Sequence, residues 1–329
     1  MKHNTNIILI ISLCLFFFIL GILVQRYIFN KASQIINPDI NFYSHTTERK
    51  FTNPLLDCNA NFTFINPSLE EIIKTEVSRF QEISSINKIS VYFRMLNNGA
   101  WYGVNEKEYF IPASLNKVPL MIAAFKLSEE HPEILDQKFS FDDTRGTFQK
   151  AYISENMINK EKLFTLYEVI EYMIKYSDNE TAEFLYEILN SYNKSFIDNV
   201  FNDLGIKAPN NTEIHQITTK DYASFFRVLY NSTYINNKNS ERALLYLSET
   251  DFDDGLVKGI EDNIIISHKY GQISDSTLMQ LHDCGIVYYP GNNYILCVMV
   301  KGYDIQYMAK TIQGISKAVY DEIKKQLSE

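Results

Sequence analysis

A chain of 329 residues with 46% hydrophobic and 22% charged residues has enough apolar material for one large domain or two ordinary ones. Its formal charge of −9 comes without a basic block, so nucleic acid is excluded as a partner. Tyrosine and phenylalanine number 22 each against 12 glycines, a balance that suits packed helices and sheets rather than disorder. Residues 7–24 form an uncharged apolar run of 18 that spans about 27 Å as a helix, nearly a hydrocarbon core. The run exceeds a usual signal core, and Gln25, Arg26, Tyr27 and Ile28 after it offer no small-residue cleavage pattern. An uncleaved membrane anchor over residues 1–25 is expected, followed by a tether over 26–67 that contains Pro38, Pro54 and Pro67. The charges flanking the run do not fix its orientation.

The domain is expected over residues 68–329. Ser68 and Glu71 read as a capping box for a helix to about Ile86. KISVYFRML then alternates as a strand, Asn97-Asn98-Gly99 supplies a turn, and AWYGV returns. From Ser114 to about Gly259 the pattern is helical, through VPLMIAAFKL, LYEVIEYMIKY, TAEFLYEIL, SFIDNVFNDL, YASFFRVLY and ERALLYL. Three strands follow, NIIISHKYG, LHDCGIVYYP and NYILCVMVKG, and a helix from about Ile305 to Leu327 closes the chain. This order implies an α+β fold: an antiparallel sheet built from both ends of the domain and covered by terminal helices, with an all-helical lobe inserted between. A cleft is expected between lobe and sheet.

Four cysteines lie far apart in sequence, with no CxxC pair, and the six histidines form neither HxH nor HExxH, so no metal or other cofactor is expected. Cys14 falls in the anchor. Cys284 and Cys297 read as buried free thiols in their strands, with a disulfide among Cys58, Cys284 and Cys297 as the alternative. His268 and His282 sit singly beside strands, where structural roles are the rule.

The segment PASLNK places Ser114 and Lys117 one helical turn apart, about 5 to 6 Å at Cβ. A serine at a helix start is commonly a cap, but a capping box wants Glu or Gln three residues on, and a lysine is electrostatically misplaced in a first turn. That misplacement, with burial, depresses a lysine pKa toward the range a general base needs. SxxK also occurs at Ser85 to Lys88 and Ser191 to Lys194, yet neither opens an apolar helix carrying both groups. Ser177-Asp178-Asn179 lies between two helices, where Asp or Asn as a helix cap is the ordinary reading. Lys269-Tyr270-Gly271 on a late strand is the chain's single KxG.

Together and in this order the three elements resemble the penicillin-recognising serine hydrolases, specifically the class A β-lactamase domain with its SxxK, SDN and KTG motifs. The resemblance covers about residues 68 to 328. It implies Ser114 as the acylated nucleophile, Lys117 as its general base and Ser177 as the hydroxyl that relays a proton to the leaving nitrogen. It further implies that Asn179 holds the substrate amide and Lys117, and that Lys269 supplies positive charge near Ser177 and a substrate carboxylate. Backbone N–H groups of Ser114 and Gln272 would form an oxyanion hole, with Tyr270 and Gly271 beside the substrate and Asp178 bracing its turn. The implied substrate is a β-lactam or a peptidoglycan-stem-like peptide.

Two departures qualify these implications. Tyr270 stands where the family has a hydroxyl-bearing Thr or Ser that helps bind the substrate carboxylate. Between Leu204 and Thr219 the family's Glu-x-x-Leu-Asn is absent, and Glu213, the single carboxylate there, reads equally as a deacylating base or a solvated loop residue. Three functions therefore stay open: a β-lactamase, a cell-wall D,D-peptidase or transpeptidase, and a binding module without turnover. The first two require the domain to lie outside the cytoplasm.

Overall fold

A computed structural model describes residues 49–54, 66–140, 163–210, 213–274 and 278–326. The expected anchor, Cys14 and Cys58 lie outside these residues. Among the described residues no helix is long and apolar enough to cross a membrane.

A helix α1 (Pro67–Gln81) leads into β1 (Ile86–Met95), β2 (Trp101–Val104) and β3 (Tyr109–Phe110). A 3₁₀ turn (Ala113–Asn116) then feeds α2 (Lys117–Glu130), β4 (Lys138–Ser140) and β5 (Leu163–Thr165). The lobe continues with α3 (Leu166–Lys175), α4 (Asn179–Tyr192), α5 (Phe196–Asp203), β6 (Ile217–Thr218), α6 (Thr219–Tyr230) and α7 (Asn237–Ser248). The chain returns to the sheet with β7 (Ile266–Ile273), β8 (Met279–Val287) and β9 (Tyr294–Gly302), and ends in α8 (Ile305–Gln326).

The main sheet is antiparallel in the order β2-β1-β9-β8-β7, so the expected pairing of the domain's two ends is met at its centre by β1 and β9. Val298 and Val300 point to one face and Cys297 and Met299 to the other, and both faces are covered. That double cover explains why β9 reads as a nearly continuous apolar run. The rear core packs α1 and α8 through Ile73, Val77, Ile312 and Val319 against Ile89, Val91, Val298 and Val300. The front core packs the helical lobe through Val118, Ile122, Phe125, Phe225 and Leu244 against Ile286, Ile295 and Met299.

Three expectations are corrected. The cap of α1 is Asn66, whose side chain accepts from the Ser68 N–H at 3.1 Å with Pro67 in the first turn; Ser68 instead turns its hydroxyl to Asn66 and Glu322. Part of the expected tether is built into the domain: Glu241 accepts from the Thr52 N–H at 2.8 Å, and the Asn53 N–H donates to the Tyr230 carbonyl at 2.8 Å. Cys284 and Cys297 are a disulfide and not free thiols: they face each other directly in the β8–β9 register.

Candidate active site

The turn carrying Ser114 is held from three sides. Ile111 donates its N–H to Gln280 Oε1 at 3.1 Å and receives His282 Nε2 on its carbonyl at 3.0 Å, so two alternate positions of β8 clamp one residue. The phenol of Tyr222, buried on α6, donates to the Leu115 carbonyl at 3.0 Å. Gly271 of β7 lies against the same turn so closely that a Cβ there would sit 2.5 Å from the Pro112 carbonyl oxygen and 2.9 Å from Leu115 Cγ. Within this clamp Ala113 has φ +50°, a left-handed conformation that costs a non-glycine residue about 1 kcal/mol or more.

Ser114 makes no capping hydrogen bond; it sits in the 3₁₀ turn, and Lys117 begins α2. The PASLNK serine is therefore free for chemistry rather than spent on a helix end. Lys117 Nζ lies 3.1 Å from Ser114 Oγ, 2.7 Å from Asn179 Oδ1, 2.5 Å from the Ser177 carbonyl and 3.2 Å from Ser177 Oγ. Ser177 also has φ +53°, which turns both its carbonyl and its hydroxyl toward this amine. Asp178 caps α4 by accepting from the Thr181 N–H at 2.7 Å and its hydroxyl at 2.8 Å, which fixes Asn179 as the first residue of that helix.

Ser114, Lys117 and Ser177 are all buried. Burial lowers the Lys117 pKa from 10.5 to about 7, against the opposing pull of the Asp178 carboxylate. A neutral lysine has two N–H bonds and one lone pair. The Ser177 carbonyl and Asn179 Oδ1 can accept only N–H bonds, so they aim the lone pair at the Ser114 hydroxyl. This is the arrangement a general base requires.

Lys269 is fully buried on β7, and its pKa is pushed well below the ordinary value by burial and by the charge of Lys117, with Asp283 opposing. Its Nζ donates to the Tyr270 carbonyl at 3.3 Å and lies 4.1 Å from the Tyr270 ring centroid, near enough to Lys117 for the two amines to disfavour each other's charge. That acceptor belongs to its own strand, β7, which is the edge strand of the sheet. Tyr270 is also corrected. Its side chain alternates to the rear face, where it stacks on Phe252 at 4.2 Å and is 4% exposed, so it does not line the cleft. Gly271 meets the nucleophile turn as described. Gln272 follows on the edge strand, its side chain donating to Ser274 Oγ at 3.3 Å.

Glu213 stands at the surface, with its side chain 65% exposed. Its carboxylate accepts from Lys207 Nζ at 3.0 Å, which lowers its pKa, and its N–H donates to Asn210. Of the two readings of Glu213, the geometry is that of a solvated loop residue.

The sequence did not disclose the β8 clamp. Both histidines have the structural roles expected of them: His268 Nδ1 pairs with Asp283 Oδ1 at 2.8 Å, and His282 serves Ile111.

A model of the beta-lactamase enzyme family matches residues 68–323. No curated relative matches the chain. Similar solved structures include a point mutant of PBP-A as an acyl-enzyme complex with penicillin G, at 22% identity and TM-score 0.65, covering 78% of this chain and 97% of that one. The extended-spectrum beta-lactamase TLA-3 is 18% identical with TM-score 0.67, covering 77% and 99%. A beta-lactamase from Chitinophaga pinensis DSM 2588 is 17% identical with TM-score 0.66, covering 76% and 99%. At these identities the structures speak for the fold, and the family match covers most of the chain: the protein belongs to the beta-lactamase enzyme family, as a serine hydrolase with the class A β-lactamase-like α+β fold.

Proposed function

We propose that the protein is a membrane-anchored, extracytoplasmic serine enzyme that opens β-lactams or related peptide amides through an acyl-enzyme on Ser114. The observation that carries this reading is the Lys117 amine, buried, held by Ser177 and Asn179, and 3.1 Å from Ser114 Oγ. In the reaction, Lys117 takes the hydroxyl proton as Ser114 Oγ bonds to the substrate carbonyl carbon. Backbone N–H groups of Ser114 and Gln272 receive the oxyanion. The carbon–nitrogen bond then breaks, and the proton passes from Lys117 through the Ser177 hydroxyl to the departing nitrogen. A substrate carboxylate approaching Lys269 would favour the protonated form that burial and Lys117 disfavour, and so draw positive charge to that side of the cleft.

Deacylation separates two versions of this function. The surface position of Glu213, tied to Lys207, favours slow release of the acyl group, as in a penicillin-binding peptidase or transpeptidase, over rapid hydrolysis. The apolar run at residues 7–24 supports anchoring in the membrane. The Cys284–Cys297 disulfide supports an oxidising compartment for the domain.

A fluorescent penicillin is expected to label the full-length protein at Ser114, located by peptide mass spectrometry, and Ser114→Ala to abolish the label. Adduct on another residue, or none, would overturn the assignment. Loss of the adduct within seconds would replace the slow-release version with a β-lactamase.

A further inference from the structure

The residues that follow α7, Glu249 to Phe252, run between the helical lobe and the sheet and bind the two alternately. Glu249 pairs with Lys175 Nζ at 3.2 Å, and the Asp251 N–H donates to the Lys175 carbonyl at 2.9 Å. Thr250 Oγ1 donates to the His268 carbonyl at 2.9 Å, and Phe252 stacks on Tyr270 with ring centroids 4.2 Å apart. Odd positions thus hold the last residue of α3, and even positions hold β7.

Both attachments adjoin groups of the active site. Lys175 lies two residues before Ser177, whose carbonyl and hydroxyl hold Lys117. His268 and Tyr270 flank Lys269 on the edge strand. Alternate residues of a strand turn their backbone groups to the same edge, so His268, Tyr270 and Gln272 share one. Thr250 takes the His268 carbonyl and Lys269 Nζ takes the Tyr270 carbonyl; the Gln272 N–H, which serves the oxyanion in the acyl-transfer reading, comes next along that edge.

Thr250 also has an ordinary role. Its hydroxyl lies 3.1 Å from the Leu247 carbonyl, a bond back to the last turn of α7. A hydroxyl has one proton to give, and the shorter of the two contacts is the one to β7. Ser267 Oγ donates to the Leu244 carbonyl at 2.7 Å, so the segment leaves a helix already held to the same strand.

We infer that Thr250 is a positioning residue for acylation: through the segment it anchors, it sets the spacing between the Ser177 hydroxyl and the strand that carries Lys269. The inference rests on the acyl-transfer reading of the site. Proton relay from Lys117 through Ser177 needs hydrogen-bond distances at each transfer, and a misplacement of about 1 Å costs about a hundredfold in rate. Reversible binding is spread over many contacts and tolerates such a shift better.

Thr250→Val keeps the shape and removes the hydroxyl, whereas Thr250→Ser keeps the hydroxyl. Stopped-flow acylation of the full-length protein in non-ionic detergent by a fluorescent penicillin separates the dissociation constant of the first complex, Ks, from the acylation rate constant, k2. Thr250→Val should lower k2 about tenfold with Ks changed by less than about twofold, and Thr250→Ser should restore k2 to within about threefold of wild type. A threonine that only closes α7 would leave both constants unchanged in the folded fraction, which circular dichroism reports. Should Thr250→Val fail to fold, Glu249→Lys carries the test: it sets like charges at the solvent-facing end of the same segment and should lower k2 about threefold with Ks unchanged. An unaltered k2 in the folded variant, a Ks that weakens as much as k2 falls, or no rescue by serine overturns the inference while the acyl-transfer reading stands. A wild-type chain that penicillin never labels at Ser114 removes that reading and this inference with it.

Discussion

The rate at which penicillin acylates Ser114 should follow the deprotonation of Lys117. With a pKa of about 7, the amine is neutral in about a tenth of molecules at pH 6, half at pH 7 and nine-tenths at pH 8. At the ordinary value of 10.5 it would be neutral in about 1 in 3,000 at pH 7. The second-order acylation rate, measured by intact-protein mass spectrometry, should therefore rise about tenfold per pH unit below 6, bend near 7 and flatten above 8. Asp178→Asn keeps an acceptor for capping α4 but removes the charge that raises the Lys117 pKa, so the bend should move to lower pH. The same perturbation has a stability counterpart. Because the folded pKa lies below the unfolded one, the unfolded chain binds the extra proton between pH 7 and 10.5, and stability rises with pH across that window. Below pH 7 the cost is fully present, about 5 kcal/mol at most. Lys117→Met removes that cost but strands acceptors worth about 1–3 kcal/mol, leaving a net gain of a few kcal/mol at pH 6 that shrinks toward pH 10. A flat rate profile from pH 5 to 9, or one still rising at pH 10, would refute the assignment of Lys117 as a base tuned by burial.

Glu213→Gln should leave the lifetime of the penicillin adduct unchanged; a lifetime lengthened about tenfold would make Glu213 the deacylating base despite its exposure. Gly271→Ala should cost about 1–3 kcal/mol in urea unfolding and suppress labelling, because the new methyl group meets backbone at Pro112. Gln280→Leu should leave the half-buried Ile111 N–H without its acceptor, costing about 1 kcal/mol, and slow acylation more than it weakens a reversible ligand of the cleft.

The nucleophile and its base were legible because their residue types conflict with a plain helix start: Ser114 lacks a Glu partner and Lys117 opposes the dipole. The alternation of β7 was legible too, and applied strictly it turns Tyr270 away from the face that holds Lys269 and Gly271. The family pattern, which seats a ligand-binding hydroxyl at that position, obscured this. The disulfide was hidden because register, and not spacing, decides whether two strand cysteines meet, and a turn of unknown length lies between Cys284 and Cys297. The Gln280 and His282 clamp on Ile111 joins positions about 170 apart in sequence, a pairing that neither periodicity nor composition encodes. Asn66 and Ser68 are both competent caps, and only the path of the chain into Pro67 chooses between them.

The central position of β9 governs when this enzyme can exist during synthesis. Residues 294–302 separate β1 from β8, so the last strand of the sheet to be made is the one on which the earliest must pair. Until it arrives, β1 and its hairpin have an open edge, and the wall behind Ser114 lacks its middle. Closure over about two hundred residues is slow relative to local helix formation in the lobe. A nascent chain stalled before residue 294 should therefore hold a formed helical lobe yet bind no penicillin, and the reactive serine stays silent until β9 has been made.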